Sequence, residues 1–110
     1  MVTNQSLSNV FNDKIYEVAE IKMNEHLGGS GSIDAGQVSQ VCPAIHPYFD
    51  ITNDKNIVAH TRDMASCTLT DYAKIQMKNT IAALVLTAAE VMQNPELYQK
   101  IKNEFDHTEK

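Results

Sequence analysis

The chain has 110 residues, 43% of them hydrophobic and 21% charged, with a formal net charge of −5. This allows one small folded domain and argues against disorder; no Lys/Arg-rich run supplies the basic footprint that nucleic acid or an anionic membrane surface requires. The most apolar stretch, Ile81 to Met92, contains Glu90 and is too short to span a bilayer, while the N-terminus (Thr3, Asn4, Gln5, Ser6) is polar and lacks an apolar signal region.

A cytoplasmic protein is therefore expected. Cys42 and Cys67 permit one disulfide but no framework, and two reduced thiols are the plainer expectation.

The first predicted element is a helix. Ser6 or Ser8 is placed to cap it, since a short hydroxyl satisfies an orphan N–H at a helix start. Phe11, Ile15, Val18 and Ala19 follow the spacing of one buried face, broadened by Val10 and Ile21. Gly28 suits the left-handed residue after a helix, so the end is predicted near Leu27. Gly28-Gly29-Ser30-Gly31-Ser32 then opposes regular structure. It reads equally as a flexible linker or as a loop where backbone approaches a ligand.

Residues 37–51 read as extended, because Pro43 and Pro47 bias the residues before them and remove ladder donors. Residues 50–56 form a polar turn. Ile57-Val58-Ala59 is a short strand candidate ending at His60. A long helix is predicted from about Leu69 to Met92, capped by Thr68 or Thr70, with Ile81, Leu84, Val85, Ala88 and Val91 on its apolar face. Asn94-Pro95-Glu96 starts a third helix with Leu97, Tyr98, Ile101 and Phe105 inward, and the last residues fray. The predicted architecture is α/β: three helices with one or two short strands, an incomplete sheet that leaves the long helix short of partners.

Four histidines are candidates for chemistry. His26 falls at a helix end, where an imidazole favours the dipole, and His107 falls in the tail. His46 lies on an extended segment, and His60 follows a strand candidate and precedes the polar Thr61-Arg62-Asp63, a position where open-sheet enzymes place ligands. Asp34 follows the glycine-rich loop, where one carboxylate is ordinarily a cap or turn residue. A catalytic zinc needs three protein ligands and an open position. Asp34, Cys42, His46 and His60 are the nominal donors, and nothing in their spacing demands a site.

Three stretches together carry a resemblance. Gly31-Ser32-Ile33-Asp34-Ala35-Gly36-Gln37-Val38-Ser39 resembles a Gly-Ser-Thr-Asp-x-Gly-x-Val-Ser segment, and Pro43-Ala44-Ile45-His46-Pro47-Tyr48-Phe49 resembles a Pro-x-x-His-x-Tyr/Phe segment. Ala59-His60-Thr61-Arg62-Asp63-Met64 resembles a His-Thr-x-Glu-Phe signature, and the alanine-rich helix followed by Asn94-Pro95-Glu96-Leu97 resembles the usual ending. All are found in dinuclear-zinc amidohydrolases of the aminoacylase/carboxypeptidase type, notably the aminobenzoyl-glutamate hydrolases and dipeptidases cleaving before basic residues. The resemblance covers roughly residues 28–106.

That resemblance implies a single partial domain over residues 1–110, the C-terminal segment of a zinc-peptidase-like catalytic domain. It implies that His60 is the last metal ligand of a two-zinc site. It also puts Asp34, Ser32 and His46 on the substrate side, with no role assigned to His46. The implied substrate is a small N-acyl amino acid or dipeptide. Ile33, Gln37, Asp63 and Met64 depart from the family pattern. The family's His-x-Asp, bridging aspartate, Glu-Glu pair and lid domain used for dimerisation have no counterpart here.

Amide hydrolysis on two zincs needs a metal-activated water, a carboxylate base and stabilisation of the oxyanion. The chain is thus expected to bind metal at most weakly and to lack activity alone. Its implied partner is the missing N-terminal part or another chain. Two other readings stay open: a non-catalytic helical binding or assembly module, and an autonomous mononuclear zinc site built from His60, Asp34 and His46.

Overall fold

A computed structural model of the chain describes residues 1–21, 33–54 and 56–110. Five helices follow one another: α1 (Gln5–Ala19), α2 (Ala35–Val41), α3 (Arg62–Cys67), α4 (Asp71–Gln93) and α5 (Pro95–His107). Among the described residues there is no strand and no sheet, which corrects the α/β expectation. Val38 and Val41, expected in an extended segment, lie in α2. Pro43 ends helical propagation just beyond it, and the segment to Asp50 pairs with no neighbouring strand. The Ile57–Ala59 strand candidate is instead the close of a turn, in which the Ile57 amide donates to the Asp54 carbonyl at 3.3 Å.

Helix α1 is capped by Asn4, not by Ser6 or Ser8. The Asn4 side-chain oxygen accepts from the Leu7 amide at 2.9 Å, while its Nδ2 donates to the Ile101 carbonyl at 3.0 Å. The Asn4 amide also donates to the Ala44 carbonyl at 2.9 Å. The buried Asn4 side chain therefore starts α1 and ties it to α5, while its backbone amide holds the proline-bounded segment. The helix ends at Ala19, earlier than predicted, because Glu20 turns left-handed (φ 54°) and returns its amide to the Tyr16 carbonyl. The expected end near Leu27, His26 and the Gly28–Ser32 loop lie outside the described residues.

The core forms where α1 crosses α4. Phe11 and Ile15 are buried against Ala83, with Ile21 and Ile45 packed on them. On α4 the buried residues are small: Ala73, Thr80, Ala83 and Thr87. The two threonine hydroxyls return to the carbonyls one turn back, Thr80 to Gln76 at 2.8 Å and Thr87 to Ala83 at 2.7 Å, so each is buried without an orphan polar atom. The bulky residues expected to face inward behave otherwise: Ile81, Leu84 and Val85 are exposed and Val91 is only half-buried. Close helix approach selects the small-residue side, leaving the larger apolar side exposed among the described residues.

Local capping follows the sequence more closely. Thr70 caps α4, its hydroxyl oxygen accepting from the Ala73 amide at 3.1 Å and donating to the Cys67 carbonyl at 2.8 Å. Thr70→Ala is expected to lower stability by about 1 kcal/mol, read by urea denaturation. Asn94 caps α5 through the Leu97 amide at 3.1 Å, with Pro95 opening the helix and Glu96 in its first turn. That helix persists through His107, whose Nδ1–H donates to the Asn103 carbonyl at 2.7 Å, so only the last three residues lie beyond it. Cys42 and Cys67 are free and half-buried.

Candidate functional site

His60 sits in a turn with φ 63°, one of three non-glycine residues in the left-handed region among those described, and it is exposed. The next residue explains the turn but not the imidazole. The Thr61 hydroxyl donates to the Val58 carbonyl at 2.7 Å and accepts from the Met64 amide at 3.2 Å, starting α3. Asp63 occupies the first turn of α3, where a carboxylate favours the positive end of the helix. Two residues of the His-Thr-x-Glu-like stretch thus have local structural work. His60 has none in the described structure, and a left-handed non-glycine backbone costs on the order of 1 kcal/mol.

Asp34 is exposed and immediately precedes α2, but its carboxylate makes no capping hydrogen bond. The motif residue that matters to the fold is Ser39, which is completely buried. Its hydroxyl oxygen accepts from the Val2 amide at 2.9 Å and donates to the Gly36 carbonyl at 2.6 Å, pinning the N-terminal residues onto α2. Ser32 lies outside the described residues.

His46 is set by the extended backbone around it. Ile45 points into the core, so His46 and Tyr48 share the opposite, outward side. Their rings meet edge to face, 4.8 Å between centroids and 71° between planes. Asp50 is committed to the turn that follows. Its carboxylate accepts from the Thr52 amide at 3.1 Å, the Asn53 amide at 3.0 Å and the Tyr72 hydroxyl at 2.8 Å. Partial burial pushes the Asp50 carboxyl up, but its hydrogen bonds from Thr52, Tyr72, Asn53 and Ile51 prevail and hold it below the ordinary aspartate value. The same contact raises the Tyr72 phenol, with burial and the Asp50 charge adding to it.

Sequence reasoning passed over Asn4, Ser39, Asp50 and Tyr72. Ser39 was visible within a quoted motif, whereas Asp50 and Tyr72 are distant in sequence and no local pattern links them.

Among the described residues no group of three or more His, Cys, Asp or Glu side chains is gathered closely enough to hold a metal ion. His60, His46 and Asp34 are thus not brought together as one such group among the described residues. A shallow open groove on α5, lined by Pro95, Glu96, Gln99, Lys100 and Asn103, includes none of the candidate residues. Among the described residues no helix is long and apolar enough to cross a membrane.

The geometry defines a helical unit that presents an exposed, turn-held imidazole, without a gathered set of catalytic groups among the described residues. Comparison with known proteins sharpens that class. The chain is 40% identical over 78 residues to human Xaa-Arg dipeptidase, a match covering 71% of this chain and 17% of the relative. It is 38% identical over 78 residues to the mouse Xaa-Arg dipeptidase, covering 71% and 18%. These similarities support a peptidase or amidohydrolase relationship for the matched region. The chain spans less than a fifth of the length of those relatives. No family model and no solved structure matches it.

Proposed function

We propose that this chain is a portion of a metal-dependent dipeptidase that hydrolyses amide bonds of dipeptides or small N-acyl amino acids. The observation that carries this reading is the 40% identity to Xaa-Arg dipeptidase over 71% of the chain. In the proposal His60 supplies one imidazole to the metal site, and Asp34, with Ser32 and His46, lies on the substrate side. The remaining ligands, the general base and the oxyanion stabiliser come from residues outside this chain, which is inactive alone. The two-zinc requirement and the aminobenzoyl-glutamate-type relationship belong to this proposal and rest on the motif resemblance.

The exposure of His60 and its left-handed backbone support the assignment. Backbone strain of this kind clusters at functional sites, and the imidazole is accessible. The test is a graft of the complete chain in place of the segment of human Xaa-Arg dipeptidase that it matches. The graft is expected to hydrolyse a dipeptide ending in arginine. His60→Ala in that graft is expected to reduce kcat/KM by at least about a hundredfold, with the helical circular dichroism retained. A graft whose activity is indifferent to His60→Ala contradicts the assignment.

One observation favours a second reading, a non-catalytic assembly module: the apolar side of α4 stands exposed. Under that reading His60→Ala leaves every association of the chain unchanged, and the graft is folded but inactive.

A further inference from the structure

We propose that Ser39 is a positioning residue for Asp34. Through its hydrogen bond with the Val2 amide, the N-terminal residues form a strap that fixes α2, and with it the carboxylate assigned to the substrate side. The inference rests on the reading in Proposed function and adds the contact that sets where that carboxylate stands.

Helix α2 has little else to hold it. It is seven residues long, too short to be stable by its own hydrogen bonds. Helices α1, α4 and α5 pack on one another, whereas α2 shares no comparable interface with any of them among the described residues. Val38 and Val41, its bulkiest apolar side chains, are exposed, and Ser39 is its one buried residue.

The strap acts through two backbone amides, two residues apart. The Val2 amide donates to the Ser39 hydroxyl oxygen at 2.9 Å, and the Asn4 amide donates to the Ala44 carbonyl at 2.9 Å, just beyond the end of α2. The Met1 backbone passes beside the first turn: a Cβ on Gly36 would stand 3.7 Å from the Met1 Cα. The Ser39 hydroxyl carries the tie into that turn by donating to the Gly36 carbonyl at 2.6 Å.

Asp34 is continuous with the same turn. Its backbone is already helical (φ −62°, ψ −28°), and its carbonyl accepts from the Gln37 amide at 3.0 Å. The Ile33 carbonyl accepts from the Gly36 amide at 2.9 Å. The Asp34 carboxylate is exposed and makes no capping hydrogen bond, so its direction is set by the backbone that carries it. Alanine suits a helix interior better than serine. A buried serine with both its donor and its acceptor used specifies a position instead, and a misplacement of about 1 Å near a reacting centre is enough to cost about a hundredfold in rate.

The test is a double-mutant cycle in the graft into human Xaa-Arg dipeptidase. The readout is kcat/KM for a dipeptide ending in arginine, with helical circular dichroism as the check on folding. Ser39→Ala and Asp34→Ala are each expected to lower kcat/KM by about tenfold or more. If Ser39 acts through Asp34, the double variant is no slower than Asp34→Ala alone. Val2→Pro removes the donated amide without altering α2 and is expected to reproduce both the loss and the coupling. It decides the matter where Ser39→Ala does not fold. Losses that multiply in the double variant, as a merely structural serine would give, overturn the proposal. So does an Asp34→Ala or a Val2→Pro graft as active as wild type. A wild-type graft that folds but hydrolyses no dipeptide removes the hydrolase reading and the positioning role with it, whereas an active graft without coupling removes the positioning role alone.

Discussion

Phe11→Ala is expected to lower the unfolding free energy by about 3–5 kcal/mol, the range for a large aromatic removed from a packed core. Phe11 is 2% exposed and meets Ile15 and Ala83 at the crossing of α1 and α4. Ala83 carries only a methyl group and Ile15 is itself buried on the same face, so any collapse into the vacancy falls to the partly buried Ile21 and Ile45. Since a domain of this size is stabilised by roughly 5–15 kcal/mol, the loss removes a large share of the total. Urea denaturation followed by circular dichroism at 222 nm reads it. Met92→Ala is the control: Met92 is 81% exposed, and its truncation is expected to change stability by no more than about 0.5 kcal/mol. Equal effects of the two substitutions would contradict the placement of the core.

The second large effect is expected at Glu104. Its carboxylate accepts from the Gln5 amide, from the Ser6 amide at 2.8 Å and from the Ser6 hydroxyl at 2.7 Å. It thereby satisfies the first amides of α1 from a position on α5, and its charge suits the positive end of the α1 dipole. Glu104→Ala leaves these donors without their partner and is expected to cost about 2–3 kcal/mol.

The pH dependence has a definite sign. Partial burial pushes the Glu104 carboxyl up, but its hydrogen bonds with Ser6 and Gln5 and the nearby Lys100 charge prevail and hold it below its ordinary value of 4.5. The folded state therefore binds this proton less readily than the unfolded chain. The associated stability is present above about pH 4.5 and is lost as the pH falls through the lower folded value. Glu104→Gln is expected to flatten the acid limb of the stability profile, and an unchanged limb would show that the clamp is not ionic.

How much of this was legible depends on range. Thr70 and Asn94 are visible as caps because the donor they satisfy lies three residues away, within any local window. The inner face of α1 was legible at Phe11 and Ile15 for the same reason. Asn4 was not, because its value comes from joining α1 to Ile101 and Ala44, remote in sequence.

The strand expectation failed on a different ground. Pro43 and Pro47 do enforce extended backbone, but extension becomes a strand only with a neighbour to bond, and among the described residues none exists. On α4, periodicity grouped Ile81, Leu84 and Val85 on one side and took that side for the buried one. Within the described structure, shape favours the small side, and the bulky side stays outward.

At the candidate site, the sequence supplied His60 as a residue but not its left-handed turn, which arises from Thr61 closing onto Val58 and opening α3.

The most direct measurement is the metal content of the dipeptidase graft, by mass spectrometry of the purified protein, with and without His60→Ala. Loss of one tightly held divalent ion per chain, with the helical circular dichroism retained, is the predicted result. Identical metal content in the two proteins would show that the exposed imidazole at position 60 is not a ligand.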